Sequence, residues 1–184
     1  RVIMQGGENK GWAVYSGENT VSLTSKFQNF SKTFQMTEDT DPEAFLSICL
    51  GKVGDRITKQ HRVVIDDISL VESNDPAANL LTNADFSSGM DGWSETIANW
   101  GSDGATADAT NSIEGNKIIY DIKNVGNENW HVQLKHTKLP LKEGKTYRIS
   151  FDAKSTVDRS ILAGLQSTTY VWYGDTTANL VANK

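Results

Sequence analysis

Short apolar runs rich in β-branched and aromatic residues recur along the chain, and each is bounded by Gly, Asn, Asp or Pro. These runs predict β-strands, because no segment sustains the 3.6-residue apolar period of an amphipathic helix. The alternation is clearest where Tyr147, Ile149 and Phe151 share one face of a strand. Gly144, directly before them, stands where a turn needs a positive φ. The predicted strands cover residues 31–37, 44–50, 62–71, 116–122, 130–135, 145–153 and 159–165.

Many short strands separated by turn residues are typical of an antiparallel β-sandwich, so we expect an all-β fold. The loops are long for a minimal sandwich, notably residues 89–112. Long loops on a rigid sandwich are where binding usually occurs. Residues 74–78, which read Asn-Asp-Pro-Ala-Ala, have the composition of a linker.

The composition of the chain excludes several classes of protein. Its 184 residues carry a formal net charge of −5, and Lys and Arg form no basic stripe of the kind that binds nucleic acid. No apolar run reaches the roughly 18–20 residues of a membrane helix. Cys49 is the single cysteine, so no disulfide can form within the chain, and its apolar surroundings predict burial. Because the sequence opens at Arg1 without a signal peptide, we expect a piece of a longer protein.

Four motifs together resemble one family. Residues 65–70 read Ile-Asp-Asp-Ile-Ser-Leu, and residues 79–93 contain Asn-Leu-Leu-Thr-Asn-Ala-Asp-Phe followed by Gly92-Trp93. Residues 130–134 read Trp-His-Val-Gln-Leu, and residues 144–154 read Gly-Lys-Thr-Tyr-Arg-Ile-Ser-Phe-Asp-Ala-Lys. The set resembles the jelly-roll carbohydrate-binding modules grouped around families 4, 9, 16 and 22. The resemblance implies a galactose-binding-like jelly-roll sandwich.

The order of these motifs is unusual, since the family's closing strand precedes its opening strand. We therefore interpret residues 1–73 as the C-terminal half of one module, 74–78 as a linker and 79–184 as the N-terminal part of a second. A weak similarity between residues 1–6 and 159–164 agrees with such a tandem. The halves either complete one sandwich within the chain, as in a circular permutant, or swap between chains. We favour closure within the chain, because the linker is short.

Catalytic constellations are missing from the sequence. No Glu-x-Asp-x-x-Glu strand of the jelly-roll glucanase type occurs, and no glycine-rich phosphate loop is present. His61, His131 and His136 have no nucleophile at a recognisable spacing. We expect a protein that is not an enzyme.

Sugar binding needs aromatic surfaces for the C–H faces of pyranose rings and amides for their hydroxyls. Trp130 and Gln133 have the right chemistry, but their odd spacing places them on opposite faces of an ideal strand. Both reach one cleft only if a bulge or loop intervenes. We assign Trp93 to the core and leave Trp100 unassigned. The candidate carbohydrate-binding residues are Trp130, Gln133, Trp12, Tyr15, Trp172, Tyr173 and Gln5.

The resemblance also implies a structural calcium site where the opening and closing strands meet. Asp66 would supply a carboxylate, and Asp85 and Asn83 would supply further oxygens. Ser87 stands where the family usually has a Glu ligand, which weakens the expected site.

The function implied by the resemblance is non-catalytic binding of a β-linked plant polysaccharide such as β-glucan, xylan or mannan. The chain would then be an ancillary module of a secreted, extracellular bacterial glycoside hydrolase. The alternative is a structural or adhesive sandwich of a bacterial cell-surface protein, with its aromatic residues in the core.

Overall fold

The computed structural model describes residues 20–55, 57–102, 105–168 and 172–173, and these form two antiparallel sheets packed as a sandwich. The predicted all-β sandwich is therefore confirmed. No helix among these residues is long and apolar enough to cross a membrane. The strands are β1 (Thr20–Leu23), β2 (Gln28–Gln35), β3 (Asp41–Cys49), β4 (His61–Glu72), β5 (Asp75–Asn79), β6 (Trp93–Ile97), β7 (Asp108–Glu114), β8 (Lys117–Asn124), β9 (Val132–Leu141), β10 (Thr146–Ser155), β11 (Arg159–Gln166) and β12 (Trp172–Tyr173).

Strands from the two ends of the chain alternate in both sheets. The first sheet has the order β1-β11-β3-β9-β6, with β12 also paired to β11. The second sheet has the order β2-β10-β4-β8-β7, with β5 also paired to β4. Strand β3 thus lies between β11 and β9, and β4 lies between β10 and β8. Because the early strands occupy central positions, the later strands form continuous sheets only when β3 and β4 are in place.

The core lies between the sheets and is built from alternating positions on each strand. On β10 the side chains of Tyr147, Ile149 and Phe151 are all buried, as the alternation predicts. The ring centroids of Phe151 and Phe30 are 5.6 Å apart, and these residues are register partners across β10 and β2. Such aromatic cross-strand pairs bury large apolar areas and fix the strand register. Trp93 is also buried, as expected from its sequence context.

The segment predicted to be a linker contains β5, whose residues are exposed and pair back onto β4. Asn79 ends this strand and connects it to β4 through its side chain. Its Oδ1 accepts hydrogen bonds from the N–H groups of Leu70 and Leu81, and its Nδ2 donates to the carbonyl of Ile68. One amide thereby fixes the start of the second half of the chain to the end of the first half.

A buried guanidinium connects β11 to the end of β3. Arg159 is 5% exposed and donates from Nη2 to the carbonyls of Leu50 and Gly51, at 2.5 and 2.8 Å. Its Nη1 lies 2.6 Å from His61 Nε2. Because a guanidinium can only donate, Nε2 must accept, and the ring proton is on Nδ1, 2.8 Å from the carbonyl of Lys59. This network requires His61 to be neutral.

The histidines make the stability of the fold depend on pH. Burial lowers the pKa of His61, His131 and His136 below the ordinary value of 6.5. As pH falls below about 6.5, the unfolded chain therefore takes up protons before the folded chain does. We expect the free energy of unfolding, measured by urea titration, to be fully retained above that pH and to decrease steadily toward pH 5. If the free energy of unfolding stayed constant or increased as the pH fell, the conclusion that the buried histidines are neutral in the folded protein would be wrong.

Candidate functional site

The outer faces of the two sheets differ in chemistry. The second sheet carries ion pairs such as Arg62–Asp121, whose Nε and Oδ2 are 3.3 Å apart. The outer face of the first sheet carries neutral hydroxyl and amide groups beside one lysine, with Ser47 and Gln133 buried and Thr96 and Lys135 half-buried. We call this the Gln133 face and define it as Ser47, Thr96, Gln133 and Lys135, which the strand register places on one side. Neutral groups that both donate and accept hydrogen bonds suit an uncharged polar ligand.

Gln133 is held at the centre of this face by two groups on β3. Its Nε2 donates to Ser47 Oγ at 2.6 Å and lies 3.5 Å from Cys49 Sγ. Burial raises the pKa of the Cys49 thiol to about 11, so Cys49 stays neutral at physiological pH, and its predicted burial is confirmed. The orientation of the Gln133 amide is thereby fixed before any ligand arrives.

A 3-10 turn at Asn129–His131 resolves the odd spacing of Trp130 and Gln133. The turn precedes β9 and breaks the strand alternation, so that Trp130 packs against Cys49, Val53 and Leu162. Cys49 is the register partner of Gln133 and therefore lies on the same side of the sheet. The structure thus brings Trp130 and Gln133 to one face.

Residues 50–52 hold this 3-10 turn in place, and Arg159 binds the carbonyls of the same segment. The N–H groups of Leu50, Gly51 and Lys52 donate to the carbonyls of Val132, Asn129 and Glu128, at 2.7, 2.8 and 3.0 Å. The two backbones approach so closely that a Cβ at residue 51 would lie 2.6 Å from the carbonyl oxygen of Asn129. Only glycine fits there. Because residue 51 has no side chain, its backbone can hydrogen-bond directly to the turn that carries Trp130.

Trp100 extends the aromatic surface beyond Trp130. The two rings are stacked, with centroids 5.8 Å apart and an interplanar angle of 26°. Trp100 is 56% exposed, whereas Trp130 is partly buried. We call the pair the tryptophan platform. The sequence left Trp100 unassigned, because nothing in a polar loop indicates whether a tryptophan points outward.

The remaining predicted sugar-binding residues either lie away from the Gln133 face or fall outside the residues that the structure describes. Tyr173 is 7% exposed, packs in the core and donates its hydroxyl to Asp41 Oδ2 at 2.6 Å. It offers no free ring face, so the geometry does not favour its predicted role. The backbone of Trp172 pairs with Gln166 on β11. Gln5, Trp12 and Tyr15 lie outside the described residues.

The predicted calcium ligands are engaged with other partners. Asp66 pairs with Lys117 and accepts the N–H of Asp67. Asp85 accepts the N–H and hydroxyl of Ser87, and these hydrogen bonds hold its pKa below the ordinary value. The described residues contain no group of three His, Cys, Asp or Glu side chains able to hold a metal ion. Asp66 and Asp85 thus already have other partners, and the calcium site stays a prediction.

Asn83, the third predicted ligand, organises the opening loop instead. Its Nδ2 donates to the carbonyls of Gly89 and Asp91, both at 2.9 Å, and its Oδ1 accepts the N–H of Ser88. Its own carbonyl accepts Trp93 Nε1 at 3.0 Å. The loop is closed by this one side chain, so its shape has a source other than a bound cation.

Comparison with known families gives one match. A family model described as carbohydrate binding domain, CBM_4_9, matches residues 78–183, which is more than half of the chain. No curated protein matches the chain, and no solved structure matches it either. The matched region contains Trp100, Trp130 and Gln133, whereas Ser47 and Cys49 precede it.

We predict that Gly51→Ala displaces the turn that carries Trp130. The added Cβ meets backbone atoms of Glu128 and Asn129, which must shift to make room, so a loss of about 2–3 kcal/mol in the free energy of unfolding is expected. Gly54→Ala is the control, because residue 54 has φ +72° but open space around it. That variant loses about 1–2 kcal/mol from backbone strain alone. Near-UV circular dichroism of the tryptophans should change only in Gly51→Ala, and equal spectra in the two variants would contradict this role.

We also predict that chelation leaves the protein unchanged, because the oxygens of Asp66 and Asp85 already have partners. The thermal midpoint should be the same in EDTA and in millimolar calcium. A saturable increase of the midpoint with calcium would restore the predicted site.

Proposed function

The chain belongs to the CBM_4_9 carbohydrate binding domain family, and on that premise we propose that it binds a β-linked plant polysaccharide at the Gln133 face. Carbohydrate-binding modules of this family are generally non-catalytic. The sugar is therefore held and released without being cleaved. β-Glucan, xylan and mannan are the polymers in question.

One observation supports this face over the opposite one. The Gln133 face has an oriented, largely buried amide and the half-buried hydroxyl of Thr96 next to an aromatic platform, whereas the second sheet carries paired charges. Sugar hydroxyls are uncharged and act as both donors and acceptors, so they pair with amides and hydroxyls without displacing an ion pair.

Recognition combines two kinds of contact. The C–H face of a pyranose ring packs on an indole, which offers a large rigid apolar surface at low entropic cost. The Gln133 amide then pairs with neighbouring hydroxyls and fixes the orientation of the ring. Because Ser47 and Cys49 already hold this amide, little rotamer freedom is lost on binding.

The biological role that follows is attachment to a substrate. We propose that the module is an ancillary part of a secreted glycoside hydrolase and keeps that enzyme on its polymer. A tandem partner module would raise the effective concentration of each binding site for the same polysaccharide.

Calorimetric titration tests the proposal directly. The whole chain is titrated with hexasaccharides of β-glucan, xylan and mannan. Saturable binding to at least one of them, near one site per chain, is expected. If the folded protein binds none, the proposal fails and the structural or adhesive alternative is favoured.

A pair of variants locates the binding face. Gln133→Ala removes the oriented amide and should weaken binding about tenfold, which corresponds to about 1.4 kcal/mol. Asn29→Ala is the control on the second sheet, where Asn29 is exposed and donates to Asp152. It should leave affinity unchanged. Equal effects of the two substitutions would place the ligand elsewhere.

A further inference from the structure

Arg159 is a buried positive charge whose partners are all neutral. Its guanidinium donates to the carbonyls of Leu50, Gly51 and Ser160 and lies 2.6 Å from His61 Nε2. The ion pairs among the described residues do not include Arg159. A buried charge without an opposite charge depends on every acceptor around it, so the loss of one acceptor weakens the hold on this side chain.

His61 can accept the Arg159 hydrogen bond only while its ring is neutral. A proton on Nε2 would convert the acceptor into a second donor and would place two positive charges within hydrogen-bond distance. The ring is 3% exposed, and its Nδ1 already donates to the carbonyl of Lys59. It therefore has no second acceptor to offer Arg159 and no room to point its charge toward solvent.

The charged groups around His61 do not neutralise such a proton. Asp121 on β8 favours the protonated ring, but this carboxylate already accepts hydrogen bonds from Gln60 and Arg62, at 2.8 and 3.3 Å. Burial, together with the charge of Arg159, lowers the pKa of His61 below the ordinary 6.5. The other ionisable side chains on the elements packed around this ring are exposed: Lys52, Asp55, Lys59, Lys123 and Asp158.

The peptide groups that Arg159 binds are the ones that hold the 3-10 turn of Trp130. The carbonyl of Leu50 shares a planar peptide unit with the N–H of Gly51, which donates to Asn129. The carbonyl of Gly51 likewise shares a unit with the N–H of Lys52, which donates to Glu128. Because each unit is rigid, Arg159 orients both of these N–H groups by holding the carbonyl at the other side of the peptide plane.

We propose that the Arg159–His61 pair is a pH-sensitive switch that controls the order of the turn carrying Trp130. Neutral His61 keeps Arg159 on the two carbonyls. Protonated His61 repels Arg159, the two peptide units become free to rotate, and the turn loosens. The consequence for the ligand rests on the proposed function: the polysaccharide is held less tightly in acid than at neutral pH.

The effect of pH on the turn has an upper bound. In the closed switch the pKa of His61 is below 6.5, whereas in the open switch the ring regains that ordinary value. Opening therefore takes up a proton, and its equilibrium constant increases by at most about 25-fold between pH 7 and pH 5.

Amide hydrogen exchange of the whole chain without sugar tests the switch. The protection of Gly51 and Lys52, corrected for the intrinsic exchange rate, should fall by up to about 25-fold between pH 7 and pH 5. His61→Gln keeps an oxygen acceptor for Arg159 but does not titrate, so this protection should stay constant. His136→Gln is the matched control, since it removes a buried histidine that contacts Thr82 instead, and it should behave as wild type.

A constant wild-type protection, or a fall that persists in His61→Gln, would overturn the switch. A second measurement does not depend on that variant folding. The Cε1 proton of His61, followed by NMR in the wild-type chain, should titrate with the same midpoint as the protection of Gly51. Different midpoints would also overturn the switch.

Calorimetric titration with the hexasaccharide separates the switch from the proposed function. Affinity should decrease from pH 7 to pH 5 in the wild-type chain and in His136→Gln, and should decrease less in His61→Gln. An affinity independent of pH would overturn the role of the switch in binding. If the wild-type chain binds no sugar at pH 7 while the protection of Gly51 still falls in acid, the proposed function fails and the switch stands.

Discussion

The buried guanidinium of Arg159 is the interaction on which the arrangement of the proposed binding face depends. It holds the carbonyls of Leu50 and Gly51, and the N–H groups of the same segment hold the turn that carries Trp130. Burial lowers the pKa of Arg159 to about 10, a shift that leaves the side chain charged at physiological pH. Because its neighbours are carbonyls and a neutral ring nitrogen, removing any of them would leave a buried charge with fewer partners.

The proposed site combines parts from distant regions of the sequence. Ser47 and Cys49 lie on β3, before the matched family region, whereas Gln133 and both platform tryptophans lie within it. The central position of β3 between β11 and β9 brings these residues together. The proposed binding face therefore exists only in the assembled sandwich.

The sequence was sufficient for features that follow a local rule. Alternation predicted the strand containing Tyr147, Ile149 and Phe151, and turn geometry predicted a positive φ at Gly144, which has φ +75°. Features that depend on tertiary contacts could not be predicted from the sequence. The exposure of Trp100 depends on stacking with a residue 30 positions away, and the ion pair of Asp66 depends on Lys117 of another strand. Neither contact leaves a pattern in the local sequence.

The most direct test of the account is a nitrogen–proton NMR titration of the whole chain with the hexasaccharide it binds. Shifts are expected to concentrate at the side-chain amide of Gln133 and at the indole N–H groups of Trp100 and Trp130. Signals from the outer face of the second sheet, such as Arg62 and Asp121, should stay in place. Shifts centred on those residues, with the Gln133 and tryptophan signals unmoved, would contradict it.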